Sequence, residues 1–291
     1  MGTPWVHHEA WNVVGELSDA LHRDIAYLLT EADSDELRAT RNAQIAAFTL
    51  SLVAWQASLR SGLQTSSVTG FAGHSLGEYT ALVAAGALDA VSASHLVDAR
   101  GEAMQAAADA RPGTMVAVLG LDAEDVARAC DGVDDAWPAN DNAPGQVVVA
   151  GTAEGVARAG EAAAALGAKR VMALAVGGAF HSPLMAGAQE RLDSALDGCV
   201  FEPTTTPVVA NVDALAHRYG FAALLSRQLA SPVRWRESLL EMANMGVSTF
   251  VELGPGAELS GMVKRTIGGA TRANVATPAD LDKLAAILAS S

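Results

Sequence analysis

Two cysteines in 291 residues give this chain little to staple itself with. Cys130 and Cys199 lie far apart, and neither sits in a Cys-x-x-Cys or Cys/His ligand spacing. A disulfide framework and a structural zinc site are therefore excluded, no metal is expected, and a reducing cytoplasm is the expected compartment. Basic residues are also scarce: 19 Lys and Arg stand against 33 Asp and Glu, for a formal net charge of −14. Such a chain has no overall field for phosphate backbones and no cluster of cations with interleaved aromatics, so nucleic acid is not an expected partner. Long apolar runs are missing too, because charges interrupt them before about 18 residues, and no membrane span is expected. The N-terminus lacks the basic-then-apolar pattern of a signal peptide. Nucleotide and flavin motifs are absent, Gly254-Pro255-Gly256 reading as a turn, and no cofactor is expected. What the chain does have is apolar bulk: half of its residues are hydrophobic, enough at this length for a large core.

Along the chain, residues 9–60 read as helices, with Trp11, Val14, Leu17, Leu21 and Ile25 at three- and four-residue steps and a second apolar helix from Ile45 to Leu59. Val68–Gly73 has strand character and runs into Gly73-His-Ser-Leu-Gly77, after which Glu78–Ala87 reads as helix. The middle third predicts strands at Met115–Leu119, Ala136–Asn140, Gln146–Ala150 and Arg170–Ala175, with helices at Ala123–Cys130 and Ala153–Leu166. This β-α-β-β-α-β order is that of a ferredoxin-like unit. With Gly113 and Gly177-Gly178 at its ends it reads as an insertion, residues 112–178, into a larger domain made of 1–111 and 179–291. Further on, Val208–Val212 and Thr249–Leu253 read as strands, and Ala222–Leu229 and Trp235–Met245 as helices. The fold class expected is α/β, a hydrolase-like, mostly parallel sheet core with an inserted ferredoxin-like subdomain.

Gly73-His74-Ser75-Leu76-Gly77 matches G-x-S-x-G in the strand-turn-helix context that motif requires. Glycines on both sides permit a sharp turn that lifts the serine into the open, and the following helix N-terminus offers N–H groups to a developing oxyanion. The bland alternative is a tight turn whose serine caps the helix. A serine nucleophile needs a base. His7, His8, His22 and His217 sit in polar surroundings, His95 lies in the Ser92–Arg100 helix, and His74, beside the serine, points the other way. His181 follows Val176-Gly-Gly-Ala-Phe180 on a loop at the domain junction and is the base candidate. An α/β-hydrolase places its histidine last, after an acidic residue, whereas nothing beyond position 217 here is histidine. A Ser-His pair oriented by a backbone carbonyl fits better.

Taken together, Gly73-His-Ser-Leu-Gly-Glu-Tyr-Thr-Ala-Leu82, Val97-Asp-Ala-Arg-Gly-Glu-Ala-Met104, Asn142-Ala-Pro-Gly-Gln-Val-Val-Val149, Gly178-Ala-Phe-His-Ser-Pro-Leu-Met185, Pro207-Val-Val-Ala-Asn-Val-Asp213, Arg227-Gln-Leu229 and Glu252-Leu-Gly-Pro-Gly256 resemble the malonyl-CoA:acyl-carrier-protein transacylases of fatty-acid and polyketide synthesis. The resemblance covers essentially the whole chain, in order. It implies that Ser75 accepts a malonyl group from coenzyme A, that His181 is general base and then acid, and that Arg100 binds the malonyl carboxylate. It further implies that the Gln228 backbone carbonyl orients His181, that the Leu76 N–H is an oxyanion donor, and that His74, Phe180 and Asn142 belong to the substrate-binding set. Phe180 matches the position that selects the extender unit, in its malonyl-type form. The implied partners are malonyl-CoA and an acyl carrier protein, and a monomer is expected.

One departure accompanies the match. The family begins with a strand running into Phe-Pro-Gly-Gln-Gly-x-Gln, which supplies a second oxyanion donor, and Met1-Gly-Thr-Pro-Trp5 looks like the segment just after it. A strand and a donor are thus expected to be missing, through a start placed late. A serine hydrolase or thioesterase, or an inactive relative, are the alternatives. For an acidic carrier protein, the docking candidates are Arg227, Arg234 and Arg236, or Lys264 and Arg265.

Overall fold

The computed structural model describes residues 1–289. Three short helices, α1 (Asn12–Leu21), α2 (Ile25–Thr30) and α3 (Ser34–Arg38), precede α4 (Thr40–Arg60). Ile45, Phe48, Leu52, Val53 and Trp55 leave α4 apolar on nearly every side, and all are buried, as befits a helix surrounded by protein. The short strand β1 (Phe71–Ala72) leads into α5 (Gly77–Ala85) and then α6 (Ala90–Ala110). Asp89 caps α6 by accepting from the Ser92 N–H, and Pro112 stops the helix from continuing. Gly101 fixes how closely α6 crosses α4, since a Cβ there would lie 2.8 Å from Arg41 Cα. That crossing puts its neighbour Arg100 against Gln44, on the next turn of α4.

The strands β2 (Thr114–Leu119), β3 (Ala136–Ala143), β4 (Gln146–Gly151) and β5 (Arg170–Ala173) form one antiparallel sheet in the order β3-β4-β2-β5, with α7 (Ala123–Cys130) and α8 (Ala153–Ala165) between them in the chain. This is the ferredoxin-like order. The period-two alternation of the strands assigns the faces: Val118, Val147 and Val149 pack with Val126 and Val156 of the two helices, while Met115, Ala117, Val148 and Ala150 join the main core. β3 reaches Ala143 through two register shifts, one between Pro138 and Asn140 and one between Asp141 and Ala143, and its Pro138 is tolerated because β3 is the sheet edge. The extension carries Asn142 to the site described below.

The rest of the chain comprises α9 (Ala186–Leu196), β6 (Val208–Val209), β7 (Ala216–His217), α10 (Phe221–Gln228), α11 (Trp235–Asn244), β8 (Thr249–Leu253), α12 (Glu258–Thr266), β9 (Thr271–Val275) and α13 (Leu281–Leu288). β1 runs parallel to β6, β8 runs parallel to β9, and β7 turns back antiparallel on β6. The strands expected at Val68–Gly73 and Val208–Val212 are each reduced to two residues. They pair with each other only at Phe71 with Val208 and Ala72 with Val209, and the chain then leaves the ladder because the Asn211 N–H turns to the carboxylate of Glu78. Among the described residues no helix is long and apolar enough to cross a membrane.

Candidate active site

The turn from β1 into α5 is shaped by one close approach. A Cβ on Gly73 would sit 1.9 Å from the carbonyl carbon of Gly77, so no other residue fits; a Cβ on Gly77 itself would meet nothing within 4 Å. The steric demand therefore falls on the first glycine of the motif rather than on both. The turn forces Ser75 to a φ of 51°, and His181 is likewise left-handed at 58°. Such conformations cost on the order of 1–3 kcal/mol each and persist only where neighbours impose them. For Ser75 those neighbours are visible: its N–H donates to Asn211 Oδ1 at 2.6 Å, and its carbonyl accepts from Gln228 Nε2 at 3.0 Å. Asn211 Nδ2 also donates to the Gly73 carbonyl at 2.8 Å.

The Ser75 hydroxyl does not cap α5. It lies 2.6 Å from His181 Nε2 and accepts from Arg100 Nη2 at 2.8 Å. His181 Nδ1 is 3.1 Å from the backbone carbonyl of Gln228. A carbonyl can only accept, so Nδ1 carries the ring proton and Nε2 is left with the lone pair that faces the serine O–H. Burial first, and the charge of Arg100 second, push His181 down to about 3 and keep its imidazole neutral. The geometry is that of a hydroxyl ready to hand its proton to a neutral imidazole, with the N–H of Leu76 at the head of α5 beside it.

Arg100 is 1 % exposed, and its hydrogen-bond partners among the described residues are neutral. Nη1 donates to Gln44 Oε1 and Nη2 to Ser75 Oγ and Gln228 Oε1, the guanidinium lies over the Tyr79 ring at 5.7 Å, and Nε has no partner. The guanidinium thus meets only neutral groups directly and keeps a donor unpartnered, in the forked geometry that a carboxylate matches.

His74 points away from the serine, as its place in the turn predicts. Its Nε2 lies 2.8 Å from Asn142 Oδ1, its ring packs edge-on against Trp235, and burial lowers its pKa. The pair joins the serine turn to β3 of the inserted unit. Nearby, the Asp141 N–H donates to the Val233 carbonyl, the Val233 N–H to that of Ala139, and Arg236 pairs with the Asp141 carboxylate at 2.8 Å. Phe180 is half-buried beside His181, with its ring 3.1 Å from where a Gly178 Cβ would stand. No group of three or more His, Cys, Asp or Glu among the described residues could hold a metal ion.

Comparison with known proteins decides the lineage. Residues 12–282 match the acyl transferase domain family. The chain belongs to this acyltransferase family. The malonyl CoA-acyl carrier protein transacylase of Bacillus subtilis is 44 % identical over 256 residues, which are 86 % of this chain and 80 % of the relative. The acyl-carrier-protein S-malonyltransferase of Burkholderia pseudomallei superposes with a TM-score of 0.93 at 38 % identity, covering 98 % of this chain and 94 % of that one. A malonyl-transacylase solved in complex with the acyl carrier protein of a type II polyketide synthase gives 0.90 at 38 % identity, covering 96 % and 91 %. The hydrolase-like core with its inserted unit is therefore the acyltransferase fold.

Three residues of this acyltransferase site escaped the sequence reading. Gln44 holds Arg100 and also donates to Met104 Sδ at 3.2 Å, Asn211 holds the serine turn, and Glu78 accepts from Asn211 and Gln228. The available signal was weak: a buried polar side chain inside an apolar helix, for Gln44, and a quoted but unassigned motif for the other two.

Proposed function

We propose that this acyltransferase moves a malonyl group from malonyl-CoA to the phosphopantetheine thiol of an acyl carrier protein, as a cytoplasmic enzyme. The observation that carries the reading is the buried Arg100, whose Nη2 is 2.8 Å from Ser75 Oγ. A cation that close to a nucleophile suits an acyl group that ends in a carboxylate one methylene away from its thioester. Ser75 Oγ attacks the thioester carbonyl while its proton passes to His181 Nε2. The Leu76 N–H and the positive end of α5 receive the oxyanion. The C–S bond then breaks, and the departing coenzyme A sulfur takes the proton from His181. In the second half the carrier's thiol gives its proton to His181 and attacks the Ser75 ester, and Ser75 leaves with that proton restored. Water must be kept from the ester meanwhile, and the near-complete burial of Arg100 and His181 favours transfer over hydrolysis.

The test is the intact mass of the chain after brief exposure to malonyl-CoA. A gain of one malonyl group, removed by holo carrier protein with malonyl appearing on the carrier, is expected. Rapid release of free malonate without carrier would make the protein a hydrolase, and the absence of both a mass gain and released malonate would reject both readings.

A bulky ring at Phe180, next to His181, would crowd an α-methyl branch on the acyl group. Since one methyl in a pocket is worth about 1–3 kcal/mol, malonyl-CoA is expected to load about 10–100-fold faster than methylmalonyl-CoA, with Phe180→Ala reducing that preference to a few-fold. Equal loading rates in the unsubstituted protein would remove Phe180 from the specificity argument.

Among the docking candidates, Arg234 pairs with Glu237, Arg236 with Asp141 and Arg227 with Asp213. Lys264 and Arg265 on α12 are exposed and line a surface hollow shared with Glu258 of the same helix and Gln146 of the inserted unit, the two cations outnumbering the one carboxylate. They are the better match for an acidic carrier. Reversing both to glutamate is expected to raise the KM for carrier protein about tenfold and steepen no other step, so that Ser75 malonylation keeps its rate. An unchanged carrier KM would locate the docking face elsewhere.

A further inference from the structure

The carboxylate of Glu78, in the first turn of α5, is 2 % exposed, and the two half-reactions above make no use of it. One of its oxygens, Oε2, accepts from the Asn211 backbone N–H at 3.0 Å and from Gln228 Nε2 at 2.8 Å. These two partners are the residues that grip the reacting groups. Asn211 holds the Ser75 N–H and the Gly73 carbonyl, while Gln228 holds the Ser75 carbonyl and, through its own backbone carbonyl, His181 Nδ1. They come from distant parts of the chain, the turn after β6 and the end of α10, and both converge on Glu78 Oε2.

We propose that Glu78 is a positioning residue, whose carboxylate oxygen ties Asn211 to Gln228 and so holds Ser75 and His181 in their strained left-handed conformations at 2.6 Å from one another. The proposal rests on reading Ser75 and His181 as nucleophile and base. Asn211 is also held by its carbonyl, which accepts from the Arg234 N–H at 3.0 Å, and Gln228 Oε1 accepts from Arg100 Nη2 at 3.3 Å, but neither contact satisfies the Asn211 N–H. The Asn211 N–H has left the β6 ladder to reach this oxygen, and without it a buried donor is orphaned at the point where the chain must turn back toward the serine. Burial, working against the hydrogen bonds from the Asn211 N–H and Gln228 Nε2 and, to a lesser extent, the charge of Arg100, brings the Glu78 carboxyl up to about 7, and in either protonation state one oxygen retains the lone pairs that both donors need. The acceptor oxygen, rather than the charge, is what the clamp requires.

This separates the variants. Glu78→Gln keeps an oxygen in place, Glu78→Asp withdraws it by one methylene, and Glu78→Leu removes it. Two rates are measured for each: malonyl transfer, and labelling of Ser75 by a neutral fluorophosphonate, in which the Oγ–P bond forms, the P–F bond breaks with loss of fluoride, and His181 takes the serine proton. Glu78→Leu is expected to lose about 100-fold in kcat with the KM for malonyl-CoA within about twofold, and to lose a similar factor in labelling. Glu78→Gln is expected within about threefold of the unsubstituted protein in both. Equal loss in the leucine and glutamine variants, a loss confined to KM, or a leucine variant that labels at full rate would each overturn the proposal. Should the leucine variant fail to fold, Glu78→Asp decides: labelling at least about tenfold slower, with a melting temperature within a few degrees, supports the clamp, and full-rate labelling overturns it. An unsubstituted protein that takes the fluorophosphonate but no malonyl would reject the malonyl reading while leaving the labelling comparison to judge Glu78.

Discussion

Replacing His181 with asparagine is expected to slow malonylation of Ser75 by about 10⁴-fold, read as the rate of adduct formation by rapid-quench intact mass. The size follows from the chemistry: a serine hydroxyl ionises far above neutral pH, and the neutral Nε2 lone pair at 2.6 Å is the group positioned to receive its proton. Asparagine is the informative substitution because His181 has a φ of 58°, a region asparagine tolerates better than alanine, so the loss reports chemistry rather than backbone strain. The acid side of the pH profile carries the sign of the same argument. Burial, the charge of Arg100 and a smaller contribution from His74 lower His181 from 6.5 to about 3, so the neutral form persists as pH falls. The acid limb of kcat/KM is therefore expected well below pH 6.5. A profile already half lost at pH 6.5 would mean that the imidazole is not held neutral by its surroundings. Stability has the matching sense: a depressed histidine pKa withdraws stability as pH falls below 6.5, because the unfolded chain takes up the proton that the folded one refuses.

Much of this site was legible in the sequence because local sterics wrote it there. The Gly73-to-Gly77 turn admits few alternatives, and a lone loop histidine at a domain junction stands out once the polar ones are set aside. The inserted unit was legible for a similar reason, since β2 and β4 alternate cleanly between two buried faces. What could not be read depends on contacts distant in sequence. β1 and β6 are strands only over the two residues where each finds the other, and β9 has only Ala273 and Val275 to mark its buried face. Gln44 looks like an ordinary polar residue in an apolar helix until Gly101 brings α6 against α4. Asn211 sits in a segment that reads as strand, and its use as a clamp for Ser75 is what ends that strand. Polar groups that act by holding other polar groups leave no periodicity in a sequence.

Arg100→Gln is expected to lower kcat/KM for malonyl-CoA by about 10³-fold, and to bring acetyl-CoA from a poor substrate to within about tenfold of malonyl-CoA in the same variant. Removing one partner of a buried, hydrogen-bonded charge pair costs about 2–5 kcal/mol, which spans that factor. Glutamine is preferred to alanine because it keeps a donor near Gln44 Oε1 and limits the cavity beneath the serine. The collapse of the preference is the decisive part. A merely structural arginine would slow both thioesters together, since its loss would disturb Ser75, which neither substrate can do without. Losing an arginine that reads the carboxylate penalises only the substrate that carries one, because acetyl-CoA presents a methyl group where malonyl-CoA presents a charge. In the unsubstituted protein that methyl would leave the guanidinium buried, charged and with no carboxylate in hydrogen-bond contact, so its removal relieves a cost for acetyl-CoA while withdrawing a partner from malonyl-CoA. The two rates should therefore move in opposite directions, and a parallel fall in both would assign Arg100 to holding the site together rather than to choosing its substrate.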